Sequence, residues 1–83
     1  AENEVFSIYP NPSRGVFNVR FGSLLPYDTE VTIFDASGRK VKAQTFEKDK
    51  QEFVVDIQGV SKGIYLIRFN QNGASYSRTV VIE

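Results

Sequence analysis

The chain has 83 residues and ten basic side chains that balance ten acidic ones, so it offers no net field for nucleic acid or an anionic membrane. A length of this order predicts one small domain, and a composition that is 41% hydrophobic and 24% charged is that of a folded domain rather than a disordered tail. Cysteine and histidine are absent, which excludes disulfides, thiolate nucleophiles, histidine bases and the commonest metal ligands.

The first half of the chain alternates β-type runs with turn signals. A first run covers residues 5–9 and is closed by residues 10–15, PNPSRG, where two prolines forbid a continuing ladder and Gly15 permits a positive φ. Residues 16–21 alternate strictly between apolar and polar side chains, as in a half-buried strand. After a loop around a proline, residues 31–35 alternate again and predict a third strand.

A tight turn ending at Gly38 precedes a run over residues 39–46 in which lysines alternate with smaller side chains. We predict a half-exposed strand here with its basic face towards solvent, because lysine on an edge strand blocks unwanted strand pairing. The two faces are predicted as Lys40, Lys42 and Gln44 towards solvent, and Val41, Ala43 and Thr45 on the opposite side.

The second half continues the pattern. Residues 53–57 alternate, and residues 64–69 are nearly continuously apolar, as expected deep in a sandwich. Asn72-Gly73 is typical of a type I′ hairpin turn, and residues 76–82 form the last run. About seven short strands at roughly 8–12-residue spacing, with no helical period, predict an all-β, immunoglobulin-like β-sandwich of antiparallel strands.

One local pattern adds to the sandwich prediction. Tyr65 follows a short turn-like segment, Val60-Ser61-Lys62-Gly63-Ile64, and this spacing is typical of a tyrosine corner. In that motif the tyrosine hydroxyl bonds a backbone group a few residues upstream, where the chain crosses between sheets. The alternative is an ordinary core tyrosine.

Paired carboxylates are the remaining route to catalysis in a chain without histidine or cysteine. Asp28, Asp35, Asp49 and Asp56 are candidates, but each lies at or near a strand end or turn, where aspartate normally caps its own backbone. No calcium-loop spacing links them, and no serine lies in a G-x-S-x-G frame. We therefore predict a protein that is not an enzyme and has no catalytic residues, no cofactor and no metal.

Three motifs in series carry a resemblance to a known family. They are Tyr9-Pro10-Asn11-Pro12 with Gly15, then VTIFD leading to Gly38-Arg39-Lys40-Val41, then Gly63-Ile64-Tyr65-Leu66-Ile67. In order and spacing they resemble the C-terminal sorting domain of the type IX secretion system of Bacteroidetes-type bacteria. The resemblance covers the chain from about Val5 to Glu83.

The resemblance implies a non-catalytic signal that directs an N-terminal parent protein, covalently continuous with it, across the outer membrane. The implied partners are the outer-membrane secretion machinery and a sortase-like peptidase that removes the domain at the cell surface. The protein would be exported through the periplasm to the outer membrane, the cell surface or the medium. Residues 1–83 would form a single sorting domain, with residues 1–4 a remnant of the linker that is cut. The chain also has no methionine, which predicts a piece processed from a longer protein.

In this family the last strand carries much of the recognition. By resemblance the recognition residues are Ser77, Arg78, Thr79, Val80, Val81, Ile82 and Glu83. Many members carry lysine in the last strand and near the terminus; here Arg78 fills the first of these places and the chain ends in Glu83. We expect the backbone edge of residues 76–82 to be available for strand addition by a receptor.

The turn residues of the family motifs are expected to set backbone geometry. They are Pro10, Asn11, Pro12, Gly15, Gly38, Arg39, Gly63 and Tyr65.

Two other classes of function stay open. An appended carbohydrate- or protein-binding (adhesion) module would use exposed aromatics, for which the candidates are Tyr27, Phe34, Phe46 and Tyr76. An assembly module would dimerise through a free edge strand.

Overall fold

Seven β-strands build the fold of residues 6–83, which are the residues that our computed structural model describes. They are β1 (Phe6–Tyr9), β2 (Val16–Phe21), β3 (Thr29–Phe34), β4 (Lys40–Phe46), β5 (Glu52–Asp56), β6 (Gly63–Gln71) and β7 (Ala74–Ile82). The predicted start of the first strand at Val5 and the predicted linker at residues 1–4 lie outside the described residues. No helix within residues 6–83 is long and apolar enough to cross a membrane.

The strands form two antiparallel sheets. One has three strands in the order β1-β2-β5, and the other has four in the order β4-β3-β6-β7. Strands β4 and β5 lie along one side of the sandwich, and β1 and β7 along the other. The prediction of an all-β sandwich with seven antiparallel strands is confirmed.

The core lies between the sheets and is built by strict alternation along the strands. Fifteen apolar side chains are buried there, from Phe6 in β1 to Ile82 in β7. At its centre Phe69 contacts the Phe6 ring edge-on at 4.9 Å and the Phe21 ring at 5.9 Å between centroids. Because aromatic pairs of this geometry add to the free energy gained by burial, this cluster is a main source of stability in a chain without disulfides.

The predicted faces of β4 are wrong over residues 42–45, whereas Lys40 is exposed as predicted. Val31 of β3 pairs with Gln44 and Ile33 pairs with Lys42, so these polar residues share a face with the core of β3. The register follows from Phe46, which stacks on Phe53 at 3.9 Å between centroids and must therefore point inward. Alternation backward from Phe46 places Gln44 and Lys42 on that same side.

Two consequences follow for β4. Lys42 reaches across the open side of the sandwich, and its Nζ donates to the Asp56 carbonyl oxygen at 2.7 Å. Ala43 and Thr45 are exposed on the outer face, contrary to the prediction. Val41 does pack against the core, because a register shift beside Ile33 makes it the extra residue of a bulge.

Both specific turn predictions are confirmed. Asn72 and Gly73 have φ values of +46° and +88°, the left-handed pair that a type I′ turn requires between β6 and β7. The Tyr65 hydroxyl donates to the Ser61 carbonyl oxygen, where the chain crosses from β5 in one sheet to β6 in the other. This is the tyrosine corner.

Candidate functional site: the last strand and the loop over its edge

Alternation divides the predicted recognition residues between two faces of β7. Val80 and Ile82 point into the core and are 1% and 4% exposed. Ser77 and Thr79 point to the outer face of the four-stranded sheet and are exposed, and Val81 on the same face is half-buried. A partner that approaches the folded domain therefore meets the odd-numbered side chains of this strand.

The side chain of Arg78 already has a partner within the chain. Its guanidinium lies over the Phe6 ring, 4.4 Å from the centroid. This cation–π contact joins β7 to β1 on the side where neither strand has a neighbour in its own sheet.

The β1–β2 loop (residues 10–15) covers the backbone edge at the end of β7. Ser13 N donates to the Val81 carbonyl at 3.0 Å, and Glu83 N donates to the Ser13 carbonyl at 2.7 Å, which makes a short parallel bridge. Val81 N donates to Asn11 Oδ1 at 3.0 Å, and Asn11 Nδ2 donates to the Thr79 carbonyl at 3.4 Å. The expectation of an available edge along residues 76–82 is thus corrected over residues 79–83, where the loop already pairs with the strand.

The sequence of the β1–β2 loop explains this pairing. Proline has no N–H, so Pro10 and Pro12 offer no backbone donor, and the loop pairs with the strand edge through the Ser13 backbone and the Asn11 side chain. Ser13 is buried, and its Oγ accepts a hydrogen bond from Gly15 N at 3.3 Å. The Gly15 carbonyl in turn accepts from Ile57 N at 2.7 Å, which ties the end of the loop to the end of β5 within the same three-stranded sheet.

The β3–β4 turn holds the next family motif. Asp35 Oδ1 accepts hydrogen bonds from Ser37 N and Arg39 N, both at 3.0 Å, and Arg39 Nε donates to Oδ2 at 3.4 Å. Hydrogen bonds from the Ser37 side chain and from Arg39 N hold the pKa of the Asp35 carboxyl below its usual value. Gly38 supplies the left-handed residue of the turn, with φ +91°. Gly38 and Arg39 thus shape the turn, as expected of motif residues that set geometry.

The other candidate carboxylates also serve turns. Asp28 Oδ1 accepts from Lys48 N at 2.9 Å, and Asp56 Oδ1 accepts from Gln58 N at 3.0 Å. Asp49 occupies a left-handed position with φ +70°. Within the described part of the chain, no three acidic, histidine or cysteine side chains come together as a metal site would require.

A surface network that sequence reasoning missed lies on the outer face of the three-stranded sheet. Glu52 accepts hydrogen bonds from the Tyr9 hydroxyl and, at 3.1 Å, from the Arg20 guanidinium. These bonds lower the pKa of the Glu52 carboxyl, and the bond to Glu52 raises the pKa of the Tyr9 hydroxyl. The cross-strand register of β1, β2 and β5 brings the three side chains together, and a single sequence does not reveal that register.

The candidate aromatics do not come together on one face. Phe46 stacks on Phe53, and Tyr76 packs against the core. Phe34 lies at one end of β3 and Tyr27 precedes its other end. A stacking platform for a sugar would need several of these rings on a common surface.

Comparison with known proteins agrees with these motifs. The family described as "Secretion system C-terminal sorting domain" matches residues 7–83. The chain belongs to this family. The sorting domain is therefore the C-terminal tail of a parent protein handled by the type IX secretion system, which implies export across the outer membrane. No curated protein matches it.

A solved structure supports the architecture. The sorting domain is similar to CopC from Methylosinus trichosporium OB3b, with a TM-score of 0.63 over 95% of this chain and 94% of that chain. The sequence identity is 14%, so the likeness concerns the fold alone.

Replacing Asn11 by alanine is expected to uncover the end of β7. The Asn11→Ala sorting domain loses both side-chain bonds to the strand, which lowers the free energy of unfolding by about 1 kcal/mol. It also speeds hydrogen exchange at the Val81 amide, measured by NMR. Asn18→Ala is the matched control, because its side chain makes one long bond, to the Tyr9 carbonyl, on the other sheet. Unchanged exchange at Val81 in Asn11→Ala would contradict the role of this loop.

Proposed function

We propose that the sorting domain is a non-catalytic sorting signal for type IX secretion. It spans residues 1–83 and is removed by a sortase-like peptidase after export. The family match over residues 7–83 carries this proposal. The hydrogen bonding of the aspartates supports it, since three of the four candidates are engaged in holding turns.

The secretion machinery recognises this signal by the outward side chains of β7, principally Ser77, Thr79 and Val81, with Glu83 beside them. Strand addition along the full tail is disfavoured because the β1–β2 loop already occupies the edge from Thr79 onward. Every second residue of β7 directs its N–H and C=O groups away from β6, and of these Ser75 and Ser77 lie outside the part of the edge that the loop covers. Two residues are too short a stretch for a stable added strand. Val80 and Ile82 contribute by holding the strand in place from the core side.

The decisive experiment fuses residues 1–83 to an inert reporter that carries a signal peptide. The reporter is expected at the cell surface or in the medium of a type IX-competent bacterium, and in the periplasm when the secretion machinery is disrupted. Surface delivery that persists without the machinery, or periplasmic retention in competent cells, would overturn the proposal. A reporter without the domain is the control.

A test of recognition through β7 requires a single substitution rather than a truncation. Deleting residues 77–83 removes the buried Val80 and Ile82, so loss of export would equally reflect unfolding. Ser77→Glu alters an exposed outer side chain and is expected to reduce export of the reporter about tenfold. Ser7→Glu, which changes another exposed serine on the outer face of the other sheet, is the control and should be exported normally. Equal export of the two variants would contradict reading from β7.

Removal of the sorting domain is tested by the mass of the released fragment. We expect a cut ahead of Phe6, because every residue from Phe6 onward to Tyr9 is paired in β1 and a peptidase needs an unpaired, extended backbone. Mass spectrometry of the medium should detect the domain free of reporter. A fragment that begins inside β1, or an exported reporter that keeps the domain intact, would contradict this step.

A further inference from the structure

Two adjoining depressions that share Asp35, Ala36, Ile64 and Tyr65 form a groove from the end of the sandwich onto the outer face of the four-stranded sheet. It starts between the β3–β4 turn and the β5–β6 loop and continues across β6 to β7. We call it the Ile64 groove and define it by Phe34, Arg39, Lys40, Ile64, Leu66 and Arg68.

The floor of the Ile64 groove is apolar and accessible. Ile64 is 59% exposed, although it lies within β6 and pairs with Val81 of β7. The next residue on the same face, Leu66, pairs with Phe34 on one side and with Thr79 on the other. Four apolar side chains are therefore contiguous on an outer sheet face, a pattern that marks interaction surfaces more than isolated exposed residues do.

The rim of the groove is basic. Arg39, Lys40, Lys62 and Arg68 line it, and Asp35 is the one acidic side chain among its lining residues. Asp35 is already occupied by the N–H groups of its own turn and by Arg39. Since the chain as a whole is neutral, this local excess of cations selects an acidic partner.

Two of the three family motifs converge on this groove. Gly38, Arg39 and Lys40 come from the turn after β3, and Gly63, Ile64 and Tyr65 come from the start of β6. The pairing of β3 with β6 brings them together, and β7 adds Thr79 and Val81 alongside. One continuous surface thus joins these motif residues to the outward side chains of the last strand.

We propose that the Ile64 groove is the surface by which the export machinery holds the folded domain, and that its occupant is a protein segment with an apolar centre and acidic flanks. This inference rests on the proposed function and names the part of the domain that is read. The groove is concave and bounded by two loops, which suits an inserted side chain better than the flat plane of a bilayer. Its floor takes the apolar centre, and the rim cations other than the Asp35-bound Arg39, namely Lys40, Lys62 and Arg68, pair with the flanking carboxylates.

The test uses the reporter fusion with substitutions inside and outside the groove. Ile64→Thr keeps a β-branched side chain and removes apolar area, Ile64→Asp adds a repelling charge for acidic flanks, and Arg68→Glu reverses a rim charge. We expect Ile64→Asp and Arg68→Glu to lower the exported fraction about tenfold and Ile64→Thr to lower it severalfold, as for anchor residues of an interface. Arg68→Lys, which keeps the charge, should be exported within about twofold of the unchanged chain.

Two matched controls separate the groove from general surface effects. Val54→Asp changes a side chain that is 52% exposed on the outer face of the other sheet, and Lys48→Glu reverses a charge at the opposite end of the sandwich. Both should be exported normally. Thermal unfolding of the purified 83-residue chain, followed by circular dichroism, should give similar midpoints for Ile64→Asp and Val54→Asp.

Four results would overturn the inference. The first is an unchanged fusion that is not exported, which would overturn the proposed function as well. The second is normal export of Ile64→Asp and Arg68→Glu, or equal loss in the controls, which would overturn the groove alone. The third is binding of the purified chain to phosphatidylglycerol vesicles that Ile64→Asp abolishes, which would make the occupant a membrane. The fourth is a dimer in sedimentation that Ile64→Asp dissociates, which would make it a second copy.

Discussion

Replacing Phe69 by alanine is expected to lower the free energy of unfolding by about 3–5 kcal/mol. Phe69 is 0% exposed, and its ring contacts Phe6 from one sheet edge and Phe21 from the middle of the opposing sheet. The substitution removes these contacts and leaves a cavity that close-packed strands fill poorly. A domain of this length has a total stability of about 4–12 kcal/mol, so Phe69→Ala leaves it marginally folded or unfolded.

Urea denaturation of the 83-residue chain, followed by circular dichroism, measures this loss. Phe46→Ala is the matched control, because Phe46 stacks on Phe53 at the open side of the sandwich and is half-buried. We expect this control to cost about 1–2 kcal/mol, since less apolar area leaves the interior. A smaller effect at Phe69 than at Phe46 would show that the core is not organised around the Phe6–Phe21–Phe69 cluster.

Gly15→Ala is expected to cost about 2–4 kcal/mol, from two separate causes. Gly15 has φ +112°, a conformation that side-chain-bearing residues rarely adopt. A methyl group here would also lie 3.0 Å from the Cα of Gln58, which is backbone and cannot swing away. The same substitution displaces the end of the β1–β2 loop, so we expect faster hydrogen exchange at the Val81 amide as well.

Gly38→Ala separates the two causes. Gly38 also has a positive φ, +91°, but a methyl group there would meet nothing within 4 Å. We expect this variant to lose about 1–2 kcal/mol through backbone strain alone and to keep the exchange rate of Val81 unchanged. Urea denaturation gives the first quantity and NMR the second. Equal losses for the two glycines would contradict the close approach between the loop and Gln58.

The Phe69 and Gly15 substitutions are expected to affect function, because the position of the last strand depends on the core and on the β1–β2 loop. Phe69 supports the core against which Val80 and Ile82 pack, and Gly15 positions the loop that covers the edge of β7. A variant with a loosened loop exposes the end of β7 without changing its outward side chains. Comparing export of the Asn11→Ala and Ser77→Glu fusions therefore distinguishes reading of the strand edge from reading of its outer face.

The amino-acid sequence by itself determined the class of fold and the positions of its local turns. Period-two alternation in β2, β3 and β5 follows from burial of one face, and a left-handed pair at Asn72-Gly73 follows from the twist of a hairpin. The tyrosine corner at Tyr65 and the turns at Asp35 and Asp56 are equally local, because each of these bonds spans a few residues. The motifs in series were enough to predict the family that the comparison then established.

The tertiary structure alone decided which face and which edge each strand presents. Lys42 faces the core side of β4 because Phe46 on the same face stacks on Phe53. The alternation of residues within β4 does not reveal this contact with another strand. The cover over β7 joins Asn11 to Val81 across 70 positions of the chain, and the Ile64 groove joins two motifs through β3–β6 pairing. Alternation in a sequence specifies that a strand has two faces, but packing between distant segments selects which one is buried and which backbone edge stays open.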